Sequence, residues 1–148
     1  MDKKEMSQAV LAAKKAKGLS WAKLAEAVGL GEVWVASCGL GENCFTPDAA
    51  EKFGAALGLA PDVVTALSEP PNKGWSMDKP IPTDPLIYRF YELVAVYGTT
   101  FKEVIQEKFG YGIMSAIDFR MDIKKEESPK GDRVVVTLNG KFLPYTKW

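Results

Sequence analysis

Arg89 and Glu92 stand three residues apart in LIYRFYELVAVY, residues 86–97, and they are the only charges in that run. On a helix this spacing puts the two side chains about 60° apart around the axis, close enough to touch. Most such pairs are solvated surface contacts of little energetic worth. This one sits in a helix that is apolar nearly all round, which marks a buried or interfacial segment. Charges in such a place must be matched to something, since unpaired buried charge is very costly. Arg89 would offer a permanently charged fork of donors, suited to a small anion. Tyr88 and Tyr91 add hydroxyls beside it. Ser115 is the third candidate, a small hydroxyl in the alternating run after Gly112. It is either a packing residue with a backbone hydrogen bond or a donor aimed into a closed pocket.

Other chemistries are excluded by composition. The 148 residues contain no histidine, which removes Ser-His-Asp triads, Cys-His pairs and His-ligated zinc or haem. Two cysteines, Cys38 and Cys44, are too few for a four-thiolate zinc site, and their spacing is not that of a redox Cys-x-x-Cys. Reduced, half-buried thiols are expected there. Gly98, Gly110 and Gly112 read as helix ends, and no Walker or dinucleotide pattern is present. Nineteen basic and nineteen acidic residues cancel, which disfavours general binding to nucleic acid or to a membrane surface. The N-terminus lacks a signal-peptide core, and no stretch reaches the ~18 apolar residues of a membrane span. A cytoplasmic protein is expected.

The elements that must position these residues fall into two halves. Five of the nine prolines lie between Pro70 and Pro85, so residues 70–82 read as a semi-rigid linker. Before it, residues 1–69 read as short helices: Met6 to Lys17, Ser20-capped to Val28, Glu32 to Cys38, Thr46-capped to Leu57, and Pro61 to Leu67. After it, in residues 83–148, Asp84-Pro85 starts a helix expected to stop at Gly98. Thr100 with Glu103 then forms a capping box for another helix ending at Gly110. From Ile113 the pattern alternates, with Ser115, Ile117, Phe119, Met121 and Ile123 on the same face of a strand. Ser128 to Asp132 is a turn, Arg133 to Leu138 a valine-rich strand, and Asn139-Gly140 a hairpin signal leading into Lys141 to Leu143. Two helices and a few strands bury little area, so this half is expected to pack against another copy of the chain.

The segment from Trp21, WAKLAEAVGLGEVWVASC, resembles a phage-repressor helix-turn-helix, with Ala25 at the close crossing and Gly29 at the turn. DNA binding does not follow. Residues 24–51 hold no Lys or Arg, against the acids Glu26, Glu32, Glu42, Asp48 and Glu51. That surface would be repelled by phosphate.

With these residues in view, IPTDPLIYRFYELVAVYGTTFKEVIQEKFGYGIMSAIDF and the closing LNGKFLP resemble the catalytic segment of the cyanase family, also called cyanate hydratases or cyanate lyases. LSWAKLAEAVGL and PDAAEKFGAALGL in the first half agree more loosely. The resemblance implies an α+β chain: a repressor-like helical bundle at residues 1–69 that has lost DNA binding, the linker, and a small catalytic domain at residues 83–148 with interlocked strands. It implies bicarbonate-dependent decomposition of cyanate to ammonia and carbon dioxide through carbamate, a detoxifying lyase reaction. It places the catalytic Arg, Glu and Ser on Arg89, Glu92 and Ser115. It implies no metal and no organic cofactor, bicarbonate being a co-substrate, and a homodecamer of five dimers with sites between subunits. A different class of reading, a repressor-like regulator whose second half oligomerises and binds a small anion, is disfavoured by the missing basic residues.

Overall fold

The computed structural model describes residues 1–71 and 80–146. Trp75 and most of the proline-rich linker lie outside the described residues. The fold is α+β, with six helices followed by a two-stranded sheet among the described residues. It divides into two compact units, one holding the first five helices and the distal part of the hairpin, residues 121–137, the other holding the sixth helix and the two ends of the hairpin.

The first five helices are α1 (Lys3–Lys17), α2 (Trp21–Val28), α3 (Glu32–Gly39), α4 (Pro47–Leu57) and α5 (Pro61–Ser68). Local chemistry sets their ends. Ser20 and Thr46 each accept a hydrogen bond from the third backbone N–H beyond them, at 3.2 and 3.4 Å, as the sequence predicts. α1 starts earlier than its apolar pattern implies, because Asp2 and Glu5 form a reciprocal capping box at 2.8 and 3.1 Å. α2 and α3 form the expected helix-turn-helix. Gly29 turns the chain with φ 77°, a conformation that disfavours any side chain. α3 carries no basic residue and presents Trp34, 47% exposed.

Among the described residues, all of the buried apolar side chains lie between Met6 and Leu67. Met6 and Val10 of α1, Leu24 of α2, Val35 and Cys38 of α3, Phe53 and Leu57 of α4 and Leu67 of α5 are almost completely enclosed. Phe45 packs on Phe53 with ring centres 5.0 Å apart. Lys3 ties the chain's start to the end of α5: its Nζ donates to the carbonyls of Ala66 at 2.5 Å and Glu69 at 2.6 Å. The carbonyls at a helix C-terminus lack intrahelical partners; here Ala66 also accepts from the Glu69 N–H at 3.3 Å, and Lys3 adds a charged donor to both carbonyls. Cys38 is buried, Cys44 half-buried, and no disulfide joins them.

The second half corrects two expectations. α6 runs unbroken through Pro85–Phe109, 25 residues. Gly98 does not end it, and Thr100 and Glu103 lie inside it rather than capping a new helix. Glycine weakens a helix interior by about 1 kcal/mol, but it keeps both backbone hydrogen-bonding groups, so the hydrogen-bond ladder can pass through it. Asp84 fixes the start, accepting from the N–H groups of Leu86 and Ile87 at 2.9 Å each.

The hairpin differs too. β1 (Gly112–Glu126) and β2 (Arg133–Pro144) are joined by the turn at Ser128–Asp132, where Gly131 donates to the Ser128 carbonyl at 3.0 Å and has φ 112°. Lys125 meets Asp132 at 2.8 Å across its base. Asn139 and Gly140 are not a turn. They lie inside β2, which continues to Pro144. A turn there would have split β2 and left the first half of β1, which lies against Gly140 to Pro144, without a partner.

Close packing at Gly54 holds α4 against α5: a Cβ there would overlap a methyl of Val64. Val64 is β-branched and has little rotamer freedom with which to yield. Gly54→Ala is therefore expected to destabilise the chain by about 1–3 kcal/mol despite alanine's better helix propensity. Adding Val64→Ala should recover part of the loss, measured by denaturant titration. Equal stability of Gly54→Ala and wild type would refute this account of the crossing.

Candidate active site

Arg89 and Glu92 lie in the first half of α6, one turn apart. Arg89 Nη1 approaches Glu92 Oε2 at 3.4 Å, so the ion pair foreseen from the spacing is formed. It is not buried within one chain, since its side chains are 67% and 49% exposed. Of the two settings expected for this segment, burial or an interface, burial within the chain is absent along the whole helix: α6 has no buried residue at all. Phe90, Tyr91, Leu93, Val94, Val96 and Tyr97 are all 40% or more exposed, although they are apolar. The Tyr88 and Tyr91 rings lie 5.9 Å apart alongside the pair.

Ser115 is different. It is only 7% exposed, one of few buried polar side chains among the described residues. Its Oγ accepts hydrogen bonds from the backbone N–H of Ile117 at 3.1 Å and of Asp118 at 2.9 Å. Strict alternation around it is lost: Ile113 is 47% and Ile117 97% exposed while Ser115 between them is covered. Apart from Ser115 and the half-buried Phe119, the apolar face predicted for β1 has little cover from its own chain. No hydrogen bond links Ser115 to Arg89 or Glu92 within the chain.

The route from α6 into the hairpin is fixed by aromatic residues. Phe109 stacks on Phe142 with centres 5.2 Å apart, and Tyr111 meets Tyr145 at 4.8 Å. Tyr145 N–H donates to the Tyr111 carbonyl at 3.0 Å. At Gly112 a side chain would overlap the Leu143 carbonyl and the Phe142 ring, so the end of β2 lies directly on the start of β1. Gly140 makes a similar approach farther along. This approach to β1 is not foreseen, because the Asn-Gly pair that contains Gly140 reads as a turn.

An arginine fork held by a carboxylate, with a buried hydroxyl on a nearby segment of sequence, can bind a small planar anion and donate to charge that develops on it. The fold defines an α+β chain with a helical first half and a second half built on one long helix and one hairpin. Comparison with known proteins makes the class specific. Residues 79–147 match the family model of the cyanate lyase C-terminal domain, and residues 3–71 match that of the cyanate hydratase N-terminal domain. A cyanate hydratase of Marinomonas sp. is 57% identical over all of both chains. One of Synechococcus sp. is 60% identical over 97% of this chain and 95% of its own. The crystal structure of a cyanase from T. urticae superposes with a TM-score of 0.84 at 39% identity, covering 94% of this chain and 96% of that one. The chain belongs to the cyanate hydratase family of lyases.

Proposed function

We propose that the protein decomposes cyanate in a bicarbonate-dependent reaction, with Arg89, Glu92 and Ser115 as its catalytic residues. The observation that carries this reading is the Arg89–Glu92 pair, formed at 3.4 Å as the only charges in an otherwise apolar stretch of helix. Family membership supplies the substrate, and the residue types fit it.

Cyanate and bicarbonate are both monoanions. At 4 Å they repel by about 1 kcal/mol in bulk water and about 4 kcal/mol at a protein surface. A site that brings them together needs positive charge that does not titrate, and Arg89 supplies it. Glu92 holds one edge of the guanidinium, leaving the rest of the fork to the anions, and can pass a proton. Ser115 donates to the oxygen or nitrogen that gains charge as a bicarbonate oxygen adds to the cyanate carbon. The adduct takes up one proton and breaks into carbon dioxide and carbamate. Carbamate takes up a second proton and yields ammonia and another carbon dioxide. Atoms and charge balance with bicarbonate as co-substrate, so the scheme calls for no metal or organic cofactor.

In this reading residues 1–69 are a repressor-like bundle without DNA binding, residues 70–82 a linker, and residues 83–148 the catalytic and oligomerising part. The protein works in the cytoplasm and removes a toxic anion. The working form is a homo-oligomer, a decamer of five dimers with interlocked strands. Two features favour assembly. α6 buries nothing in its own chain, and a two-stranded hairpin with a strand of 15 residues is marginal without a partner surface. Apolar surface on this scale marks an interface. Assembly would also cover Arg89 and Glu92 and raise the strength of their fields.

Ammonia release from cyanate is expected only when bicarbonate is present, and stripping bicarbonate should abolish it. Absence of release from assembled protein under both conditions would overturn the reading. Retention of specific DNA fragments by such protein would instead favour a regulator. Arg89→Ala should lower kcat/KM by at least about 100-fold with the oligomer intact, and Arg89→Lys should not restore it, because an ammonium lacks the planar fork. Near-normal turnover in Arg89→Ala would remove Arg89 from the site. A charge on the bare face of α6, as in Val94→Asp, should shift the sedimentation coefficient toward small species and take activity with it.

A further inference from the structure

Ser115 offers more than a hydroxyl in a buried place. A serine hydroxyl has one proton to donate and two lone pairs to accept with. Both accepting positions of Ser115 Oγ are filled, by Ile117 N–H at 3.1 Å and Asp118 N–H at 2.9 Å. Only the O–H proton is left for another molecule. In a regular strand successive N–H groups point to opposite edges of the ribbon. Two in succession on one oxygen require a local departure from regular pairing, of the kind found at β-bulges beside functional sites.

The opposite strand allows that departure through Gly140. A Cβ at this position would overlap the carbonyl oxygen of Ser115 itself and come within 2.6 Å of Met114 Cγ. The first obstacle is backbone, which cannot turn aside without carrying Ser115 with it. Gly140 is not among the glycines with positive φ, so the chain does not need glycine there for its dihedral angles. It needs glycine there for approach.

We propose that Gly140 is a positioning residue that lets β2 close on the Ser115 carbonyl and so holds the Ser115 side chain as a pure hydrogen-bond donor. This rests on the reading of Ser115 as a site residue. Two N–H groups on Oγ draw electron density from it, which makes its O–H a stronger donor and its oxygen a poorer nucleophile. Ser115 then stabilises charge developing on cyanate or bicarbonate and never becomes covalently attached to either. The same constraint orients it: with both lone pairs committed, the proton has one open direction.

The test uses the full-length, assembled protein as wild type, Gly140→Ala, Ser115→Ala and the double variant. Hydrogen exchange of the peptide carrying Ile117 and Asp118 should be faster in both single variants, because each loses the Oγ acceptor geometry. In bicarbonate-dependent turnover, Ser115→Ala should lower kcat about 100-fold and Gly140→Ala at least tenfold, with KM for cyanate changing far less. The double variant should be no worse than Ser115→Ala, since Gly140 acts only through that hydroxyl. A merely structural glycine would instead give losses that multiply, and that result overturns the proposal, as does unchanged exchange in Gly140→Ala. Should Gly140→Ala fail to assemble, Ser115→Ala still decides: unchanged exchange at Ile117 and Asp118 refutes the donor-only geometry. So does a mass increase on Ser115 in wild-type protein quenched during turnover. Wild type that folds and assembles but releases no ammonia would sink the functional reading, while the exchange arm would still judge Gly140.

Discussion

A guanidinium placed on an apolar helix has to be answered by other charges once that helix is covered, and the candidate site depends on that requirement. Glu92 answers part of it from the next turn, at 3.4 Å. An exposed i,i+3 pair in one chain contributes little to stability, so stability does not explain why these are the only charges between Leu86 and Tyr97. The pair gains strength only if the surface around it is taken out of water, because the same charges interact several-fold more strongly at low effective dielectric constant. The bare apolar flank of α6 supplies the means, since covering it also covers Arg89 and Glu92. Under this reading the incoming anions complete the neutralisation of the arginine that Glu92 leaves partial.

The two halves of the chain solve opposite problems. Residues 1–69 close a core of their own, with α1, α2 and α4 capped by Asp2, Ser20 and Thr46 and Lys3 sealing the end of α5. Residues 85–144 have well-formed elements and almost no interior. Phe109 on Phe142 and Tyr111 beside Tyr145 fix where the helix gives way to the hairpin, but they do not build a core. A two-stranded hairpin is marginal in water on its own, and a helix such as this one of 25 residues draws most of its stability in a protein from packing. Their shape follows from surfaces they must meet, which is why the candidate site and the proposed assembly are inseparable in the functional reading.

The first half was legible because its signals are local. Ser20, Thr46 and the left-handed glycines act within one turn of where they stand, and the predicted helix ends lie close to the observed ones. Arg89 and Glu92 were legible for the same reason, as neighbours on one helix. Their exposure was not, because burial of α6 depends on surfaces that a single chain does not contain. Gly98 misled because glycine is a weak stop: hydrogen bonds on both sides carried the helix through it. The face assigned to β1 by alternation misses the two N–H groups gathered by Ser115, which depend on side-chain chemistry that periodicity does not register.

Gly140 is the most instructive of these departures. Asn-Gly marks hairpins because glycine tolerates positive φ, and the rule treats the residue only in terms of its own dihedral angles. At Gly140 φ is not positive, and the deciding atom belongs to another strand: the Ser115 carbonyl, 25 positions earlier in the chain. A glycine inside a strand is unfavourable for the strand itself, so its presence calls for a gain elsewhere. The gain here is geometric. Without a Cβ on β2, the backbone at Ser115 can leave regular pairing, and leaving it is what turns two backbone N–H groups onto one side-chain oxygen. The orientation of a single hydroxyl proton is thus set by a residue that carries no chemistry of its own.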